Sequence, residues 1–111
     1  MNKEEKLKLK NIHINTISRQ VRRRRKKINL TKKEFDLLEF LARNKNIVIN
    51  RLTLLEYVWN YKVGVETNTL EVHMAGLRQK LEKGQRYKLI QTIHGVGYKL
   101  CDRDQRRRRL I

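Results

Sequence analysis

The stretch LTKKEFDLLEFLARN, residues 30–44, leaves the least structural freedom of any in the chain. Thr31 and Glu34 stand at the S/T-x-x-E spacing of a capping box, in which the hydroxyl takes one orphan amide and the glutamate reaches back to another. Leu30 and Phe35 hold the hydrophobic-staple positions around it. Phe35, Leu38, Leu41 and Ala42 then recur at helical spacing, widened by Leu37 and Phe40, so one face must be buried. Asn44 to Asn46 end the helix. Other elements have to cover that stripe, and 111 residues leave room for one modest core.

The flanks supply those elements. Leu7, Leu9, Ile12, Ile14, Ile17, Val21 and Ile28 often stand two apart, which predicts short half-buried strands. Asn11, Asn15 and Ser18 provide turn chemistry between them. Residues 47–49, IVI, predict a further short strand. Asn50 is placed to cap a second helix whose Leu54, Leu55, Val58 and Trp59 face the core, with Trp59 expected to be buried against the third helix. A loop with Gly64 follows. Thr67 or Asn68 then caps a third helix, about residues 68–82, that ends near Gly84. LIQTI and YKLC, joined by the four-residue loop HGVG, predict a hairpin, about residues 89–101. The order is that of an α+β domain with a trihelical centre and a terminal β wing.

At 100° per residue, Leu70, Met74, Leu77 and Leu81 share a narrow arc of the third helix and form its core face. The opposite face carries Asn68, Val72, Ala75, Gly76 and Gln79. Glu71 and Arg78 flank it on one side, and Thr69, His73 and Lys80 on the other. An exposed face so poor in bulk is unusual for a solvated helix, where Glu and Lys dominate. It suits close approach to base edges in a major groove about 12 Å wide. Val72 and Ala75 match thymine methyl groups, Asn68 and Gln79 match adenine edges, and Glu71 matches a cytosine amino group. Arg78 suits phosphate. Gly76, costing roughly 1 kcal/mol of helix propensity, is expected to face the groove floor. Small residues on a helix equally mark helix packing, so the helix alone does not decide. The wing adds His94 and Lys99 beside Gly95 and Gly97, which permit a tight turn and close backbone approach.

The charge balance points the same way. Twenty-eight Lys and Arg against 11 Asp and Glu give a net charge of +17, which calls for a polyanionic partner. No basic amphipathic helix of the membrane-surface kind and no apolar run approaching 18 residues is present. The N-terminus resembles neither a signal nor a transit peptide. The single cysteine, Cys101, cannot form an internal disulfide, and three histidines with it offer no metal-ligand spacing. No nucleophile–base or carboxylate pair sits at a motif, so no enzyme, cofactor or catalytic residue is expected.

The segments LTKKEFDLLEFLARN, LLEYVWNY, NTLEVHMAGLRQKLE and LIQTIHGVGYKL together resemble the effector domain of OmpR/PhoB-type response regulators, over about residues 7–101 and in order. The resemblance implies a winged helix-turn-helix transcription factor: a four-stranded N-terminal antiparallel sheet, three helices and a C-terminal hairpin. It places the third helix in the major groove of double-stranded DNA and the wing at the minor groove. Thr69, His73, Arg78 and Thr92 match the family and carry over as contacts. Family members often have arginine at the positions of Asn68, Gly76 and His94, and here all three differ. Asn60, Tyr61, Lys62, Val63, Gly64, Val65 and Glu66 are similar to the loop that contacts RNA polymerase in activators. The run VRRRRKKINL aligns with the last hairpin of the sheet, with Arg24 and Arg25 at its turn. Residues 1–6 and 102–111 are then tails, the second basic and disordered.

The resemblance also implies a bacterial cytoplasmic protein, or one of an organelle stroma or nucleoid. It implies a head-to-tail or symmetric dimer on DNA, and a place in a two-component phosphorelay if the domain is joined to a receiver. Only a few residues precede the expected first strand, so the expectation is either an excised effector domain or a stand-alone one, without the receiver and its phospho-acceptor aspartate. Two other readings stay open: a non-specific architectural or RNA-binding basic protein, and an interaction protein that has lost DNA binding.

Overall fold

The structure is a computed structural model and describes residues 6–60, 68–86 and 88–102. Strands β1 (Lys6–Leu9), β2 (Ile12–Asn15), β3 (Gln20–Arg23) and β4 (Lys26–Ile28) form an antiparallel meander in sequence order. The register stacks Leu7, Ile14, Val21 and Ile28 in one cross-strand row, and Leu9, Ile12, Arg23 and Lys26 in another on the same side. These rows carry the sheet's apolar side chains into the core. Asn15 makes an Asx turn, its Oδ1 accepting from the amides of Ile17 and Ser18 at 3.0 Å. The alternation of period two in the sequence therefore becomes a one-sided sheet.

Helix α1 (Lys32–Arg43) begins on the expected capping box: Thr31 Oγ1 accepts from the Glu34 amide and Glu34 Oε1 from the Thr31 amide. Helix α2 (Arg51–Trp59) starts at Asn50, whose side chain accepts from the Thr53 amide at 2.8 Å. Helix α3 spans Thr69–Glu82. Leu37, Leu38, Leu41, Leu54, Leu70, Leu77 and Leu81 are fully buried where the helices meet. Burying such side chains contributes about 1.5–3 kcal/mol each against exposure.

Strand β5 is shorter than the expected 47–49 strand. It spans only Ile49–Asn50, while Ile47 and Val48 are exposed. It joins a second sheet of order β5-β7-β6, with β6 (Ile90–Ile93) and β7 (Gly97–Leu100) as the wing. The wing loop has three residues, 94–96, not four. Gly97 already pairs with both Ile93 and Asn50. Asp102, expected in the tail, is tied down: its carboxylate accepts from the Lys10 amide and from Lys45 Nζ, each at 3.1 Å.

Two further expectations are corrected. Trp59 lies against the third helix as expected, its ring edge-on to His73 at 5.3 Å and beside Lys33, but it is half-buried at the core's edge rather than fully buried. Asn68 precedes α3 but makes no side-chain cap. Thr67, the alternative cap, lies outside the described residues.

Candidate nucleic-acid interface

Helix α3 presents three different sides. Its core side is fully buried through Leu70, Met74, Leu77 and Leu81. Its outward side carries Asn68, Val72, Ala75 and Gln79, all exposed, with Val72 at 59%. One exposed valine is ordinary on a protein surface; what sets this side apart is that its exposed side chains carry no charge.

The shoulder toward α1 and α2 holds Thr69, His73, Gly76 and Lys80. Lys80 Nζ donates to Glu34 Oε1 at 2.7 Å, and the glutamate is only 6% exposed. His73 Nδ1 lies 2.8 Å from the carbonyl of Thr69, which fixes its ring against Trp59. The expected position of Gly76 at a groove floor is overturned. A Cβ there would stand 2.5 Å from Glu34 Oε2, so the glycine makes room for the buried carboxylate of the capping box. Projection about the helix axis put it among exposed residues, but α1 covers that shoulder.

Two predictions follow from this lock. Gly76→Ala should fail to deliver the roughly 1 kcal/mol of helix propensity that alanine normally brings, because the methyl displaces Glu34. In a Glu34→Ala background the same change should deliver it, a coupling of about 1 kcal/mol in a double-mutant cycle read by urea denaturation. Strict additivity would refute the contact.

The second prediction concerns acid. Burial raises the Glu34 carboxyl, but hydrogen bonds from Lys80 and Thr31 outweigh it and hold the group below its ordinary 4.5. A depressed folded value stabilises fully above the unfolded value and is lost as pH falls through the folded one. Glu34→Gln should therefore lose stability at neutral pH and show a shallower decline below pH 4.5 than the native chain. Parallel curves of stability against pH would contradict it.

The opposite shoulder is tied to α2 and the wing. Arg51 grips both carboxylate oxygens of Glu71, at 2.6 and 3.2 Å. Hydrogen bonding from Arg51, opposed by burial, holds the Glu71 carboxyl below its ordinary value. The pair leaves the Glu71 side chain 42% exposed, with a second lone pair on each oxygen, and orients the carboxylate for which a cytosine contact is expected. Arg78 Nη2 donates to Thr92 Oγ1 at 2.5 Å and its guanidinium lies 5.4 Å from the Tyr98 ring centre. Thr92 and Tyr98 are cross-strand partners, so one arginine bridges helix and wing. At the wing tip His94, Gly95 and Val96 are exposed, and Gly95 has φ +81°. Lys99 is half-buried on β7 opposite Gln91.

The structure thus gathers Asn68, Val72, Ala75, Gln79 and the wing tip as open surface, leaves Glu71 at its margin held by Arg51, and turns the Cβ direction of Gly76 toward Glu34. Three residues with a part in the arrangement were missed from sequence. Arg51 holds Glu71. Tyr98 seats Arg78. Arg23, one of the arginine run, turns inward and donates to the carbonyl of Leu81 at the end of α3, where a cation also complements the helix dipole. Nothing local marks Arg51 or Arg23 for these contacts; Tyr98 was legible only as a strand aromatic. Asn60 ends α2 in a left-handed conformation, φ +57°. The rest of the expected polymerase loop, Tyr61, Lys62, Val63, Gly64, Val65 and Glu66, lies outside the described residues. Among the described residues no helix is long and apolar enough to cross a membrane.

Residues 25–100 match the family described as transcriptional regulatory protein, C terminal. The response regulator ArlR of Staphylococcus aureus is 51% identical over 71 residues, covering 64% of this chain and 32% of that protein. The chain therefore spans about a third of the length of such curated relatives. Among solved structures, the Klebsiella pneumoniae RstA DNA-binding domain in complex with RstA box superposes with a TM-score of 0.81 at 23% identity, covering 89% of this chain and 99% of that one. The AdeR DNA-binding domain in complex with an intercistronic region gives 0.73 at 28% identity, covering 85% and 97%.

Proposed function

The chain belongs to the transcriptional regulatory protein C-terminal family, with a winged-helix fold, and we propose from that premise that it regulates transcription by binding a preferred double-stranded DNA sequence. Helix α3 enters the major groove. Asn68, Val72, Ala75 and Gln79 meet base edges. Thr69 and His73 stand at one margin, and Arg78 at the other faces phosphate beside Thr92. His94, Gly95 and Lys99 of the wing approach the minor groove. The observation that carries this reading is the outward side of α3: small, neutral and open between two shoulders held by ion pairs. The AdeR domain, solved on DNA, supports the same use of the fold.

Joined to a receiver, the domain serves a two-component phosphorelay in the bacterial cytoplasm. It binds as a dimer and engages RNA polymerase through the segment beginning at Asn60. Selection from a random duplex pool tests the core of the proposal. A regulator prefers its site by at least about a thousandfold over random duplex. Uniform binding across the pool would instead support an architectural role, which the arginine run and the packing of Gly76 against Glu34 rather than toward a groove favour.

A further inference from the structure

A second charged surface lies on the far side of the four-stranded sheet. Residues 6–28 contain ten Lys and Arg and no Asp or Glu. The register sorts them. The rows led by Leu7 and Leu9 face the helices, so the alternate row, Lys8–His13–Arg22–Lys27, faces away from them, α3 included. All four of its members are exposed. None has a carboxylate partner among the described residues, whereas Arg19 pairs with Asp36 and Arg23 with the end of α3.

Holding this row together has a cost. Arg22 and Lys27 stand directly opposite each other, an arrangement that destabilises a sheet. At the adjoining turn Arg24 adopts φ +58°, a left-handed conformation that a side chain disfavours. Arg22 also donates to the Arg25 carbonyl, which keeps its guanidinium at the tip. With strands about 4.8 Å apart, the row spans roughly 14 Å. A duplex laid along it offers one phosphate charge per about 1.7 Å of axis.

We propose that this outer face is a second DNA-binding surface, which grips the phosphate backbone of a separate duplex without reading its sequence. The chain then bridges two duplexes, one on α3 and the wing and one on the sheet. The proposal goes beyond site-specific binding, because it assigns a partner to the face pointing away from α3.

The test is a bridging assay with the full chain. A tethered duplex carrying the selected site is saturated with protein, and a fluorescent duplex lacking that site is offered. The native chain captures it. Lys8→Gln/Arg22→Gln/Lys27→Gln captures at least about tenfold less, lowers the log–log salt slope of capture by roughly 2–3, and keeps its affinity for the tethered site within about threefold. Its circular dichroism matches the native chain, since the three side chains are exposed.

No capture by the native chain, or equal capture by the triple variant, overturns the proposal. An equal loss at the tethered site also overturns it, because the row then touches flanking DNA of the same duplex. Poly-glutamate captured as well as DNA overturns it in favour of an acidic protein partner. If selection yields no preferred site, the reading of α3 fails alone. The triple variant is then scored on random duplex, where a loss of less than about tenfold sinks the sheet proposal too.

Discussion

Gly97→Ala is expected to lose about 3 kcal/mol of stability, the upper end of what overpacking costs when no side chain can move aside. An added Cβ would sit 2.0 Å from the carbonyl oxygen of Ile49 and 2.7 Å from the Cα of Asn50. Both are backbone atoms of β5, and β5 pairs with β7 at this point. The only relief is to separate the strands. That frees the wing from the start of α2, where the Arg51 amide donates to the Val96 carbonyl at 3.4 Å. Gly95→Ala is the matched control. Nothing lies within 4 Å of its Cβ position, and only the φ of +81° opposes it, a cost of about 1–2 kcal/mol. Urea denaturation of the two variants should rank them in that order. If Gly97→Ala proved no less stable than Gly95→Ala, the tight strand approach would be wrong.

The largest effect on binding is expected from Val72→Glu. Val72 stands at the middle of the outward side of α3 and touches no part of the core. Its replacement should change stability by less than about 0.5 kcal/mol, as surface substitutions do. In the groove, a carboxylate meets phosphates and base acceptors of like sign, and such juxtapositions cost several kcal/mol. A loss of at least about a hundredfold in affinity for the selected duplex is expected, measured by fluorescence anisotropy at fixed salt. Retention of native affinity by a folded variant would remove α3 from the interface.

The two glycines show where sequence stops being legible. The capping box at Thr31 and Glu34 was readable because both of its hydrogen bonds close within one turn. The strand periodicity of Leu7 to Ile28 was readable because burial on one side imposes it. The core face of α3 followed from spacing alone. A helical projection, however, gives angles about one axis and says nothing of what stands beside it. Hence Gly76 was grouped with exposed residues although Glu34, 42 positions earlier, fills the space next to it. The Arg51–Glu71 pair is invisible to the same projection, because its arginine comes from another helix. The arginine run was visible as charge, but its division into inward Arg23 and outward Arg22 depends on register, which a two-residue turn at Arg24 and Arg25 decides.

The Arg78 bridge to Thr92 and Tyr98 makes helix and wing a gauge with a fixed gap. In the proposed binding mode, part of any misfit between groove spacing and that gap would fall on the duplex. Sequences between the two contacts would then be ranked by how easily they bend, and pyrimidine–purine steps yield most readily. Selectivity of this kind appears at base pairs no side chain touches. It would persist after every base contact on α3 had been removed and vanish when Arg78 was shortened.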